Sequence, residues 1–170
     1  MNDELIAILP RLRRFAVSLA GNRSDGDDLL QMTVERLITR SVPEGAHLLK
    51  WTFRVCRNIW IDEMRSRKVR AHIPVEDVSE LLHGEDGEAS AMARLTLTDV
   101  SMALDLLPDD QRVALILIAV EGFGYAEVAE TLDIPVGTVL SRVARARKTL
   151  ATQFDRPSSL SHNGANRELH

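Results

Sequence analysis

The feature that most constrains this chain is a helical period that runs through nearly every apolar stretch. Leu5, Ile8, Leu9, Leu12, Phe15, Ala16 and Leu19 recur at three- and four-residue spacing, which lines one face of an amphipathic helix. Pro10 falls inside it as a kink or first-turn residue, and Gly21 closes it. Ser24, with Asp27 three residues on, resembles a capping box and leads into Leu30, Val34, Leu37 and Ile38, a second helix. Residues 41–47 contain Pro43 and Gly45 and read as a loop, after which residues 50–70 run without a breaker. The period returns at Met92, Leu95, Val100, Leu104 and Leu107, and stops at Pro108. Asp109 is placed to cap the next helix, whose apolar run to Val120 is closed by Gly122 and Gly124. Residues 125–132 read as a short helix, 133–136 as a turn and 137 to about 154 as a last helix. No stretch alternates convincingly as a strand. Aromatic residues are only 4% of the chain, so Leu, Ile, Val and Ala must build the core, and the expected fold is all-α.

The period dissolves between residues 71 and 89, where Pro74, Gly84, Gly87 and a run of acids interrupt it, so this segment reads as a tether between two units. We therefore expect two small helical domains, 1–70 and 92–155, joined by an acidic flexible linker at 71–91 and followed by a polar, disordered tail at 156–170. The net charge of -4 hides a strong segregation. Residues 50–70 hold seven basic and two acidic side chains, whereas residues 71–110 hold one basic and ten acidic. A second basic stretch, Arg142, Arg145, Arg147 and Lys148, contains no acid. Two basic surfaces around an acidic middle suit a polyanion met at two places; solvated helix faces are the alternative. The same segregation predicts a compact free protein whose basic faces are weakly shielded by the tether and neighbouring charges, in a salt-dependent way. The single cysteine, Cys56, excludes an internal disulfide and reads as an inert core thiol in a reducing cytoplasm. Histidines 47, 72, 83, 162 and 170 show no ligand spacing, so neither metal nor cofactor is expected. The N-terminal stretch, broken by Pro10 and carrying Arg11, Arg13 and Arg14, is not a signal peptide, and the longest apolar run, 113–120, is too short to span a membrane.

The sharpest local signal lies between Tyr125 and Leu150. Val139, Val143, Ala146 and Leu150 form one apolar stripe, and Thr138, Ser141, Arg142, Arg145 and Lys148 share the opposite face. Small polar side chains ahead of long cations suit a helix in a major groove, with short donors near base edges and cations on phosphates. The pattern is a helix-turn-helix; a helical hairpin with a solvated basic face is the alternative. Along the 50–70 segment Lys50, Arg54, Arg57, Arg65 and Lys68 form a cationic stripe, and Asn58 beside it offers a donor and an acceptor to a base edge or to a neighbouring loop. Trp51 either stacks on an unpaired base or belongs to the core.

Several segments together resemble the extracytoplasmic-function (ECF) sigma factors of the sigma-70 family. Leu107 to Arg112, Glu121 to Ala129, Pro135 to Arg142 and Arg145 to Arg147 resemble their region four; Asp27 to Gln31, and Trp51 with Arg54, Arg57, Asn58, Asp62 and Arg65, resemble their region two. The resemblance covers about residues 5–154. It implies a bacterial, cytoplasmic, non-enzymatic initiation factor that binds core RNA polymerase and promoter DNA and answers to an anti-sigma factor, with no direct membrane insertion and a stress-responsive role. It implies -10 contacts by Trp51, Arg54, Arg57, Asn58 and Arg65, which Lys50 on the same stripe and the loop at 40–47, held open by Pro43 and Gly45, are expected to join; the -35 contacts fall to Thr138, Ser141, Arg142, Arg145 and Lys148. Asp28, Leu29 and Gln31 match the segment that docks on the polymerase, and Glu35 shares with Asp27, Asp28 and Gln31 an acidic and amide face that is either part of that contact or simply solvated. Two positions depart from the family: Thr52 stands where leucine usually follows the tryptophan, and Leu140 occupies a recognition-helix position that is often basic. A helix-turn-helix regulator with a helical sensing or dimerisation domain, and a helical adaptor for acidic proteins, are the competing classes.

Overall fold

The computed structural model describes residues 2–71 and 99–154; the expected tether and tail, apart from residue 71, lie outside the described residues. Every element among them is a helix or a connecting turn: α1 (Asn2–Ala20), α2 (Arg23–Thr39), α3 (Leu48–Ala71), α4 (99–105), α5 (Asp109–Ala119), α6 (Tyr125–Leu132) and α7 (Val136–Phe154). Pro10 is accommodated inside α1, which runs on unbroken to Ala20.

Helices α1, α2 and α3 pack on one another around Leu12, Phe15, Ala16, Leu19, Leu29, Leu37, Phe53, Cys56 and Trp60, all buried. The α1–α2 turn is made by Gly21 at φ +82°, a left-handed value that a Cβ would strain. It delivers Asn22 in extended backbone, and the Asn22 side chain accepts from the Asp25 amide at 2.9 Å. The N-cap is therefore Asn22, two residues earlier than the Ser24 box predicts. Both residue types cap well, and the chain's direction out of Gly21 decides between them. Gly26 then lets α2 lie against α1: a Cβ there would fall 2.6 Å from the Val17 Cα.

Helices α5, α6 and α7 enclose Val113, Ile116, Leu117, Val128, Leu132, Val139, Val143 and Ala146. Pro108 takes the cap position of α5, and Asp109 instead stands inside its first turn, so the predicted Asp109 cap is not formed. An acid there still meets the positive end of the helix favourably. At α6 the Glu127 carboxylate accepts from the Gly124 amide at 2.8 Å, and Asp133 ends the helix at φ 56°. Each fully buried aliphatic or phenyl side chain contributes about 1.5–3 kcal/mol. The two groups of helices share one contiguous apolar cluster, joined by Phe53 of α3 and Phe123 of the α5–α6 turn, with ring centres 5.4 Å apart.

Candidate nucleic-acid and polymerase interfaces

The predicted α3 stripe exists, and most of it faces the other group of helices. Lys50 pairs with Glu130, and Arg54 donates to the backbone carbonyls of Thr131 at 2.8 Å and Glu130 at 2.7 Å, at the C-terminal end of α6. Carbonyls at the C-terminal end of a helix carry its negative pole, so they suit a guanidinium. Arg57 reaches Asp110 at 3.5 Å and Lys68 reaches Asp109 at 3.4 Å. Arg65 is exposed. Asn58 is exposed too, its Oδ1 accepting from Arg57 at 2.9 Å, so it does not serve as a buried tie to the preceding loop. Trp51 is half-buried and packs against the core.

Around this stripe lies a second set of contacts that sequence reading did not single out. Glu121, its carboxylate fully buried, accepts two bonds from Arg14 at 3.0 Å and one from Arg11 at 3.2 Å, and a second Arg11 nitrogen reaches the Glu121 carbonyl. The hydrogen bond and charge of Glu121 raise the Arg14 pKa above its ordinary value. The Arg11 guanidinium also lies 5.9 Å from the Phe53 ring centre and 5.5 Å from that of Phe123. Arg112, nearly buried, donates to Asp105 at 2.6 Å and to the Ser18 carbonyl at 3.3 Å, and its guanidinium lies 5.7 Å from the Trp60 ring centre. Glu121 and Arg112 were legible only as family motif letters; Arg11 and Arg14 lie 110 and 107 residues from Glu121, and the Ser18 carbonyl lies 94 residues from Arg112.

On α7 the face expected for DNA divides. Arg142 turns toward α5, where it meets Asp110 at 3.4 Å, Thr138 is half-buried, and Ser141 donates to the Thr138 carbonyl at 3.0 Å. Arg145, Arg147 and Lys148 are exposed. The α2 residues assigned to polymerase line an open groove against α3, of about 410 Å³, with Asp28, Gln31 and Glu35 at its polar edge and Trp60 and Met64 opposite. Leu29 is buried and forms part of the groove floor, so it supports this surface from beneath. Beside it Asp27 is held by two bonds from Arg13, at 2.7 and 3.0 Å, which lower its pKa from the usual carboxylate value. Cys56 is buried, and desolvation pushes its thiol up to about 12, leaving it protonated and unreactive at neutral pH. Among the described residues no helix is long and apolar enough to cross a membrane.

A helix-turn-helix and a cationic helix, carried by a chain that is helical throughout its described residues, are the equipment of a DNA-binding protein. The sigma-70 region 4 family model matches residues 97–150, and that of the sigma2 domain of PhyR matches residues 5–56. The ECF sigma factor EcfG of Rhodopseudomonas palustris is 37% identical over 89% of this chain and 83% of its own length. The ECF sigma factor SigE of Mycolicibacterium smegmatis is 34% identical over 92% of this chain and 63% of its own. Among solved structures, the sigma factor RpoE of Bartonella quintana, in complex with the anti-sigma factor NepR, matches at TM-score 0.69 and 32% identity, covering 92% of this chain and 97% of that one. The chain belongs to the ECF RNA polymerase sigma factors, a family of transcription initiation factors and not of enzymes. It directs core RNA polymerase to promoters, which sets aside the sensing-regulator and adaptor readings.

Proposed function

We propose that residues 1–70 and 92–155 act as two promoter-reading units: α3 with the loop before it captures the melted -10 strand, and α7 reads the -35 duplex. The protein makes no covalent step of its own. It assists opening by holding unstacked bases, each of which costs a few kcal/mol to expose, so cations must fix the backbone around them. Lys50, Arg54, Arg57 and Arg65 serve the backbone and Asn58 a base edge, while Asp28, Gln31 and Glu35 at the α2–α3 groove meet the polymerase. The observation that carries this reading is the pairing of a cationic α3 with an exposed, basic α7 on a chain of this family. The working compartment is the cytoplasm, and an anti-sigma partner follows from the likeness to a sigma factor held by NepR.

In the arrangement described here α3 is not ready for DNA. Four of its five stripe cations meet acids or carbonyls of α5 and α6. The acids involved are Asp109 and Asp110 from the acidic block and Glu130 from outside it; the tether, which was expected to share the shielding, lies outside the described residues. On our reading, core polymerase separates the two units and exposes α3. Reconstitution with core polymerase and start-site mapping tests the function: initiation should be promoter-specific and lost with Asn58→Ala at the opening step, seen as permanganate reactivity of the -10 thymines, while polymerase binding persists. An Asn58→Ala holoenzyme that opens promoters like the parent removes Asn58 from the site.

A further inference from the structure

The outward ridge of α7 is apolar where it would first meet DNA. Val139, Val143 and Ala146 point into the core at 1% exposure or less. The ridge opposite is Gly137, Leu140, Ser141 and Ala144, spaced as successive positions on one helical face. A Cβ on Gly137 would meet nothing within 4 Å, Ala144 is exposed, and Leu140 is 49% exposed. No charged side chain in the first two turns is exposed: Arg142 is half-buried and paired with Asp110, and the exposed cations begin at Arg145. Leu140 is thus the large apolar side chain at the side of this face, next to small residues that let the helix approach closely and followed by Arg145, Arg147 and Lys148.

Resting on the reading of α7 as the -35 helix, the geometry points to Leu140 as a specificity residue that recognises the 5-methyl group of a thymine in the major groove. The chemistry follows from the groove edge. Thymine presents the one methyl group among the four bases there, and an aliphatic side chain gains from covering it but offers nothing to the donors and acceptors of the other bases. The cations behind it suit the phosphate rails on either side, which fix register without reading sequence. A basic residue at this position would seek guanine; leucine shifts the preference to a thymine.

The test uses the full chain as holoenzyme on duplex promoters selected from a library randomised across the -35 element. The selected elements should contain a thymine, on either strand, whose replacement by deoxyuridine weakens promoter binding about four-fold, the loss expected for one buried methyl. With Leu140→Ala the thymine and deoxyuridine promoters should bind alike, because the double-mutant cycle removes the same contact from both sides. Leu140 lies outside the core, so the variant keeps its fold, which circular dichroism checks. If every deoxyuridine substitution is neutral for the parent, or costs the parent and Leu140→Ala equally, the assignment is overturned. It also fails if Leu140→Ala weakens promoters with intact and scrambled -35 elements alike, which would place Leu140 on a protein surface. Failure of the wider reading looks different: scrambling the whole -35 element would then leave the parent unaffected.

Discussion

Helices α3 and α7 carry comparable positive charge and live in opposite circumstances. The cations of α3 are largely spent within the molecule, on Glu130, on the carbonyl end of α6, and on Asp109 and Asp110. On α7 only Arg142 shows such a pairing with α5, and Arg145, Arg147 and Lys148 face solvent. The difference teaches that a basic helix in this chain is not equivalent to an available one. The helix assigned to melted DNA is covered and the helix assigned to duplex DNA is open, an order that matches the order in which a promoter presents those two forms.

The largest effect should come from removing the aromatic link that holds α3 under cover. Phe123→Ala deletes a buried ring that packs on Phe53 and beneath Arg11. It should cost about 3 kcal/mol, the lower end for phenylalanine truncation, because this site borders a separable interface. Urea unfolding should show it, with loss of a single transition if the two groups of helices unfold as one unit. A change under 1 kcal/mol would mean that the ring contributes little to either group.

Glu121→Ala attacks the same junction through charge. It leaves Arg11 and Arg14 without their shared buried carboxylate, but both arginines are partly exposed, so water takes over much of the loss. We expect about 1–2 kcal/mol of destabilisation and a measurable gain in affinity for a single-stranded -10 oligonucleotide. Small-angle scattering should show the molecule expanding. If affinity for the oligonucleotide falls instead, α3 is not masked by closure.

A smaller step is Asp110→Asn together with Glu130→Gln, which keeps shape and removes the acids facing Arg57 and Lys50. Exposed pairs of this kind contribute little in water, so oligonucleotide binding should rise only a few-fold. The gain should vanish at high salt, where the pairs are already screened.

The smallest effect is the pH dependence of the cover itself. The hydrogen bond from Lys50, then its charge, lowers the Glu130 pKa below the ordinary carboxylate value. Its contribution to closure is therefore complete above that ordinary value and is lost as pH falls through the lowered one. The parent should open slightly more than Glu130→Gln over this acidic window, as read by fluorescence transfer between labels on α2 and α7. Equal responses would remove Glu130 from the cover.

Much of the fold was legible because it is local. The expected helix at 125–132 is α6 to the residue, since Gly124 before it and Asp133 in the left-handed region after it are signals carried by neighbours in sequence. The apolar stripe of α7 likewise became its buried face. Local rules failed where two local answers were both good. Asn22 and Ser24 are each able caps, and Asp109 is as comfortable in a first turn as at a cap. The polar face of α7 was read as one surface, but Asp110 of α5 drew Arg142 to one flank, and Leu140 stands 49% exposed on the other side of that face.

The sequence by itself determined an all-helical chain, a helix-turn-helix near its C-terminal end, a cationic α3 and the ECF family, because periodicity, caps and motif spacing act within a few turns of chain. Tertiary structure alone decided which charges are free. Arg11 and Arg14 find Glu121, and Arg54 finds the end of α6, across separations of 76 to 110 residues. No period or spacing encodes such meetings. They arise when two apolar faces close on Phe53 and Phe123, and burial leaves each polar group near the seam to seek a partner of opposite charge.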